Sequence, residues 1–159
     1  MSYLGTLLLA AWTGAALLFA VSVAPAAFAV LPARALAGEL VGRILPVIFV
    51  TGMASAAAAF ALDWPYARTS RARFRGGALI VATISCGVAQ FGIGPRISAV
   101  RAEMGPVIEA LAADDPRRRA FGQLHAMSIA WLGIGMLAIA IAIGVAAWAR
   151  RTSRSSSTS

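Results

Sequence analysis

The chain has 159 residues, 60% of them hydrophobic and 13% charged, which leaves too few polar residues to cover a water-soluble domain of this size. Its formal net charge of +8 comes from 14 basic residues, all arginine, lying between the apolar runs and forming no basic face interleaved with aromatics. That pattern argues against nucleic acid and for the lipid bilayer as partner. The lone Cys86 rules out an intramolecular disulfide or a paired-cysteine metal site and reads as a small apolar residue.

A membrane-crossing helix needs about 20 apolar residues, and four segments supply them: 4–31, 44–62, 76–94 and 126–149. The reading is all-α, a four-helix transmembrane bundle forming one membrane domain over 1–150, with a disordered polar tail over 151–159. In the first span Trp12 and Gly14 belong to a packing face of small residues. Ser22 lies three residues before Pro25, placed to compensate a disturbed ladder. The stretch VAPAAFA resembles a signal-peptidase site, but no basic stretch precedes it and the run is too long, so it is read as a retained span. The second span has Pro46 in its first turn, where a missing N–H costs little.

In the third span Thr83, Gly87, Gln90, Gly94 and Arg101 fall on nearly one helical face, which should look into the bundle. Gln90 is the polar group nearest mid-membrane, either an interhelical hydrogen-bonding residue or the lining of a polar path. Pro95, in GPRI, cannot coexist with a normal bond to the Phe91 carbonyl and predicts a bend there. Arg96 follows, within reach of that carbonyl, of Glu39 or of a lipid phosphate. The third span continues beyond the membrane through Ile97, Val100, Met104, Val107 or Ile108, and Leu111, with Gly105-Pro106 as a break. Asp115-Pro116 is an N-cap followed by proline at the first helical position. Helices 3 and 4 should therefore extend beyond the membrane as a hairpin, its loop near Ala112–Asp115, on the side opposite the termini. The fourth helix puts His125, the chain's single histidine, one turn above Ser128 on the same face.

Four spans put both termini and the 63–75 loop on one side. Arginines divide evenly, seven to a side, but those of RARFR and of the ARR tail have no acidic neighbours, which favours cytoplasmic termini. Tyr3, Trp64, Tyr66 and Trp148 all fall at the terminus-side interface, as an aromatic belt should.

The ordered motifs W-x-G (Trp12, Gly14), Phe19, VAPAAF (Val23–Phe28), AG-x-LVGR-x-x-P (Ala37–Pro46), GPRI-x-x-VR (Gly94–Arg101) and F-x-x-LH-x-x-S (Phe121–Ser128) resemble a known family. It is the domain-of-unknown-function family 4149, which includes the transmembrane protein 205-like proteins, and the likeness runs from Trp12 to Trp148. The resemblance implies a four-helix membrane protein, here of a bacterial cytoplasmic membrane, with no assigned chemistry. The chain is also distantly similar to four-helix copper-resistance-D-type and haem-associated membrane proteins. It departs from these in its single histidine, which excludes bis-histidine haem within one chain and leaves Met–His ligation or pairing across a homodimer open.

No serine nucleophile elbow, phosphate loop, HExxH or paired histidine is present, so no enzyme is expected. No metal ligand set is assigned, and no cofactor is expected beyond the haem or metal that His125 leaves open. The expected site is a polar vestibule of His125, Ser128, Arg96, Arg101, Gln90, Arg43 and Glu39, where the bundle opens on the loop 1–2 and 3–4 side. It would bind or transport a small anion, a metal complex or a lipid. The alternatives are a structural or assembly subunit, in a homo-oligomer or with another membrane protein, and a haem- or metal-binding redox subunit.

Overall fold

A computed structural model of the chain describes residues 2–66, 68–104, 112 and 114–155. The described residues are helical with no strand: α1 (Tyr3–Leu18), α2 (Ala24–Val30), α3 (Arg34–Asp63), α4 (Ser70–Gly87), α5 (Gly94–Met104) and α6 (Pro116–Ser155). A π-helical turn, Phe19–Val23, joins α1 to α2 and another, Val88–Ile93, joins α4 to α5, so there are four continuous rods. Their apolar stretches, Tyr3–Val30, Arg34–Asp63, Ser70–Met104 and Pro116–Arg151, are each long enough to cross a bilayer. The protein is an integral membrane four-helix bundle. Its rods pack in chain order: α1 on α3, α3 on α4, and α4 on α6, with α6 closing more loosely on α1.

The rods are apolar all round, as helices in lipid are. Large residues such as Leu18, Val21, Ile84, Phe91 and Leu137 face outward, whereas alanines 16, 56, 59, 82, 138 and 142 are buried. Small residues inside let backbones approach, and dispersion contacts then do the holding that water would otherwise drive. At Gly5 an added Cβ would stand 3.2 Å from the Ala59 Cα. At Gly52 it would stand 2.6 Å from the Trp12 ring, whose Nε1 donates to the Ile48 carbonyl (2.9 Å). Trp12 is thus a packing residue as expected. Gly14 is not: it is exposed and has nothing within 4 Å of an added Cβ, because the indole two residues earlier already takes the side facing α3.

Both kinks expected from proline take the form of a π turn. The Ala24 N–H bonds the Phe19 carbonyl and the Gly94 N–H bonds the Ala89 carbonyl, five residues back in each case. The wider turn makes room for the rings of Pro25 and Pro95, which follow directly and have no N–H to continue the ladder. The second helix differs from expectation: it starts at Arg34 and not near Ile44, so Pro46 lies in its interior. The Gly42 carbonyl, four residues earlier, is left without its intrahelical donor. At 1.5 Å per residue the 30 residues of α3 measure about 45 Å, so its first turns stand beside the extensions of helices 3 and 4.

At the far tip Asp115 caps α6, accepting the Arg117 N–H (2.8 Å) and pairing with the Arg117 guanidinium (2.8 Å). Arg117 also reaches the Glu103 carbonyl (3.1 Å), fastening α6 to the end of α5. The expected break at Gly105-Pro106 and the positions of Val107, Ile108 and Leu111 lie outside the described residues. At the opposite end the tail expected to be disordered from residue 151 keeps helical backbone to Ser155, since TSRS contains no glycine or proline to stop it; 156–159 lie outside the described residues. Tyr3, Trp64 and Trp148 are exposed at that end, with Arg150 over the Tyr3 ring (4.9 Å) and Arg71 over that of Trp148 (4.4 Å).

Candidate functional site

Beside the second π turn, α3, α5 and α6 leave a cavity of about 420 Å³ between them. Its wall is mostly apolar, with Leu45, Phe49 and Ile97 among the residues that line it. The polar contributions come from places where the helices are irregular. Gly42 and Pro46 line it on α3, and Gln90, Gly94 and Pro95 line it on the third rod. Irregular backbone at membrane depth is tolerated where it borders a cavity.

Arg101 carries the charge. Its Nη1 donates to the Gly38 carbonyl (2.9 Å), and its guanidinium lies 5.8 Å from the centre of the Phe121 ring. Gly38 and Gly42 are what allow this, for a Cβ at either would run into the Arg101 nitrogens. Among the described residues no carboxylate pairs with Arg101, whereas Arg43 and Glu39 at the rim pair with each other (2.6 Å). Such an exposed i, i+4 pair adds a few tenths of a kcal/mol to α3, about 0.3–0.5, and neutralises itself. The Arg101 cation remains over a largely apolar chamber.

A family model described as "Domain of unknown function (DUF4149)" matches residues 7–106, well over half of the chain. The chain belongs to the DUF4149 family. The match covers α1 to α5 and with them Glu39, Arg43, Gln90 and Arg101, while His125 and Ser128 on α6 lie beyond it. No curated protein and no solved structure matches the chain.

Of the seven residues expected in the vestibule, the DUF4149 fold gathers five around the cavity: Glu39, Arg43, Gln90, Arg101 and Ser128, the last buried. Arg96 is exposed on α5 and absent from the wall, because it follows Pro95 and is about 140° around the helix from Arg101. His125 also stays out of the wall. It is half-buried and its ring stacks on that of Phe121 one turn earlier (6.0 Å, 4° between planes). No group of three or more His, Cys, Asp and Glu converges among the described residues.

The third-span residues fall into two settings. Gln90, Gly94 and Arg101 line the cavity. Deeper in the bundle Gly87 faces Met53 of α3, and Thr83 turns its hydroxyl back to the Leu79 carbonyl (2.9 Å). The π turn lies between the two groups.

A second polar centre, at the terminus-side end, was not anticipated. Arg75 is fully buried and pairs with Asp63, itself 6% exposed. Its Nε donates to the Ala142 carbonyl (3.1 Å) and its Nη2 to the Thr6 hydroxyl (3.4 Å). Asp63 also accepts the Ser2 N–H (2.6 Å), and Arg150 donates to Thr6 (3.0 Å). One guanidinium thus ties α1, α3, α4 and α6 together. In the sequence Arg75 reads as one more loop arginine; the available signal was that it comes five residues into a helix with an Asp at the end of the preceding one.

Proposed function

We propose that the protein binds an amphipathic anion, with its phosphate or carboxylate at Arg101 and its apolar part in the chamber beneath. One observation carries this: a guanidinium with no carboxylate partner among the described residues, held by Gly38 at the mouth of a mostly apolar cavity. A planar fork matches phosphate and carboxylate oxygens, and a fixed charge over an apolar chamber suits a ligand with an anionic head and an apolar body. Gln90, Ser98 and Ser128 add neutral hydrogen-bonding groups around the same space. We read the site as a binding site and not a catalytic one, and the protein as lying in a bacterial cytoplasmic membrane with cytoplasmic termini.

Calorimetric titration of the purified protein with a short-chain lipid phosphate tests the reading, with inorganic phosphate and a neutral-headgroup analogue of the same chain as comparisons. The lipid phosphate should bind the wild type, and Arg101→Gln should weaken it about 10- to 100-fold, the range for losing one charge-assisted hydrogen bond worth about 1.5–3 kcal/mol. Equal binding of inorganic phosphate would make the ligand a free anion. Binding of the neutral analogue alone, or of nothing, would overturn the proposal.

A further inference from the structure

We propose that the seam between α4 and α6 is the route by which the anion of the cavity crosses the bundle, and that Arg75 with Asp63 is the closed gate at its terminus-side end. The proposal rests on the anion-binding reading of the cavity and extends it from binding to passage.

Three rungs run along the two antiparallel rods. Gln90 and Ser128 both line the cavity, one from each rod. Five residues back along the third rod and seven on along α6, Ser85 meets Gly135, where an added Cβ would stand 3.6 Å from the Ser85 Cβ. Further on, Arg75 bonds the Ala142 carbonyl. Ser128, Gly135 and Ala142 are seven apart, two turns of α6, and so lie on one face of it.

The middle rung is the informative one. Thr13, Thr51, Thr83 and Ser98 each turn the hydroxyl back to the carbonyl four residues earlier, which is how a hydroxyl is satisfied in lipid. Ser85 does not: it is 1% exposed and its Oγ has no hydrogen-bond partner among the described residues. A hydroxyl left open against a glycine, between the cavity and a buried arginine, is a donor waiting for a passing acceptor. Ala82 and Ala138 are buried along the seam, and the fully buried Leu79 and Ile139 pack it closed between the middle rung and Arg75. Arginines at both ends, Arg101 and Arg75, select for negative charge. An arriving anion can replace Asp63 as the counter-ion of Arg75, and the four-helix tie then opens without a bare charge being left behind.

The test uses the full chain in sealed proteoliposomes, with Cys86→Ala removing the native thiol and Ser85→Cys placing one on the middle rung. A membrane-impermeant anionic thiosulfonate should label that thiol from the cavity side, at least tenfold faster than a cationic reagent of the same size. Adding Arg75→Gln should raise anionic labelling from the terminus side at least tenfold. In a second arm Gly135→Leu, which fills the seam away from the cavity, should reduce flux of the short-chain lipid phosphate at least tenfold and leave its affinity within twofold of wild type. A thiol unreactive from both sides, in proteins whose thermal transitions match wild type, overturns the seam. So does flux unchanged by Gly135→Leu. If the wild type binds no lipid phosphate, the cavity reading fails, and the labelling pattern still decides by itself whether an anion path exists.

Discussion

Breaking the Asp63–Arg75 pair from either end should cost as much as, or more than, removing both partners together. Asp63→Asn removes the only carboxylate paired with Arg75 among the described residues, while Arg75 stays fully buried. A guanidinium cannot shed its proton, so the charge stays and the loss should be about 3–5 kcal/mol, the range for stripping one partner from a buried pair. Arg75→Gln leaves a carboxylate instead. That group still accepts the Ser2 N–H, but it is left buried without its cation. The charge-assisted bonds to the Ala142 carbonyl and the Thr6 hydroxyl are lost as well, so the cost should again be about 3–5 kcal/mol. The double variant leaves no buried charge and should be no less stable than either single variant, a non-additivity of about 3 kcal/mol or more. Reversible denaturant unfolding in detergent micelles, followed by tryptophan fluorescence, measures all three. Single costs below about 1 kcal/mol that simply add in the double variant would mean that both groups are solvated and that the tie does not hold the bundle.

Three further outcomes are expected. Gly38→Ala should weaken lipid-phosphate binding about tenfold with little change in stability, because its Cβ would take the space of the Arg101 Nη2; calorimetry reads the first and a thermal melt the second. Pro95→Ala restores an N–H and should let 88–95 wind as ordinary α-helix, turning α5 by about 100° and carrying Arg101 away from Gly38; binding should fall as far as in Arg101→Gln, and affinity within twofold of wild type would refute the link between the π turn and the site. The Asp115 carboxyl is held down to about 2, first by its hydrogen bond to the Arg117 side chain and then by the Arg117 backbone N–H. Its folded value lies below its ordinary one, so the cap's contribution is complete above the ordinary carboxylate range and disappears as pH falls through about 2. Carbon-detected NMR titration of Asp115 should find a midpoint near 2 that rises in Arg117→Gln but stays below the ordinary carboxylate value, because the backbone N–H bond remains.

The architecture was legible because lipid imposes one rule on every residue of a span: backbone groups must bond within the helix, so length and apolarity suffice to count the rods. The starts of rods were less legible. Residues 34–43 mix Arg34, Glu39 and Arg43 with apolar residues and look like a loop by hydropathy, yet Ala37 and Val41 are buried and Gly38 and Gly42 seat Arg101. The cavity was legible through Gln90, Ser128 and the glycine-proline run at 94–95, where polarity and helix breaking coincide. His125 misled by being single: rarity in composition says nothing about direction, and the ring spends its contact on Phe121 one turn away. Arg75 and Ser85 were missed for the opposite reason, since nothing local distinguishes an arginine that snorkels from one tied to four helices.

The two ends of the bundle differ in the way a passage would require. At the terminus end α1, α3, α4 and α6 are regular helices and meet at one buried charge, so movement there needs an ion pair to separate. At the far end every one of the first three rods carries a defect: a π turn before Pro25, an interior Pro46, a π turn before Pro95. Defects lower the cost of bending, and π turns are registers from which a helix can return to α by moving a single residue. The cavity therefore sits where the backbone is easiest to move, and the charge that would hold an anion is fixed to one of those movable segments through Arg101 on α5. Passage would then begin with α5 shifting against the stationary α6, which presents Ser128, Gly135 and Ala142 in turn along one straight face.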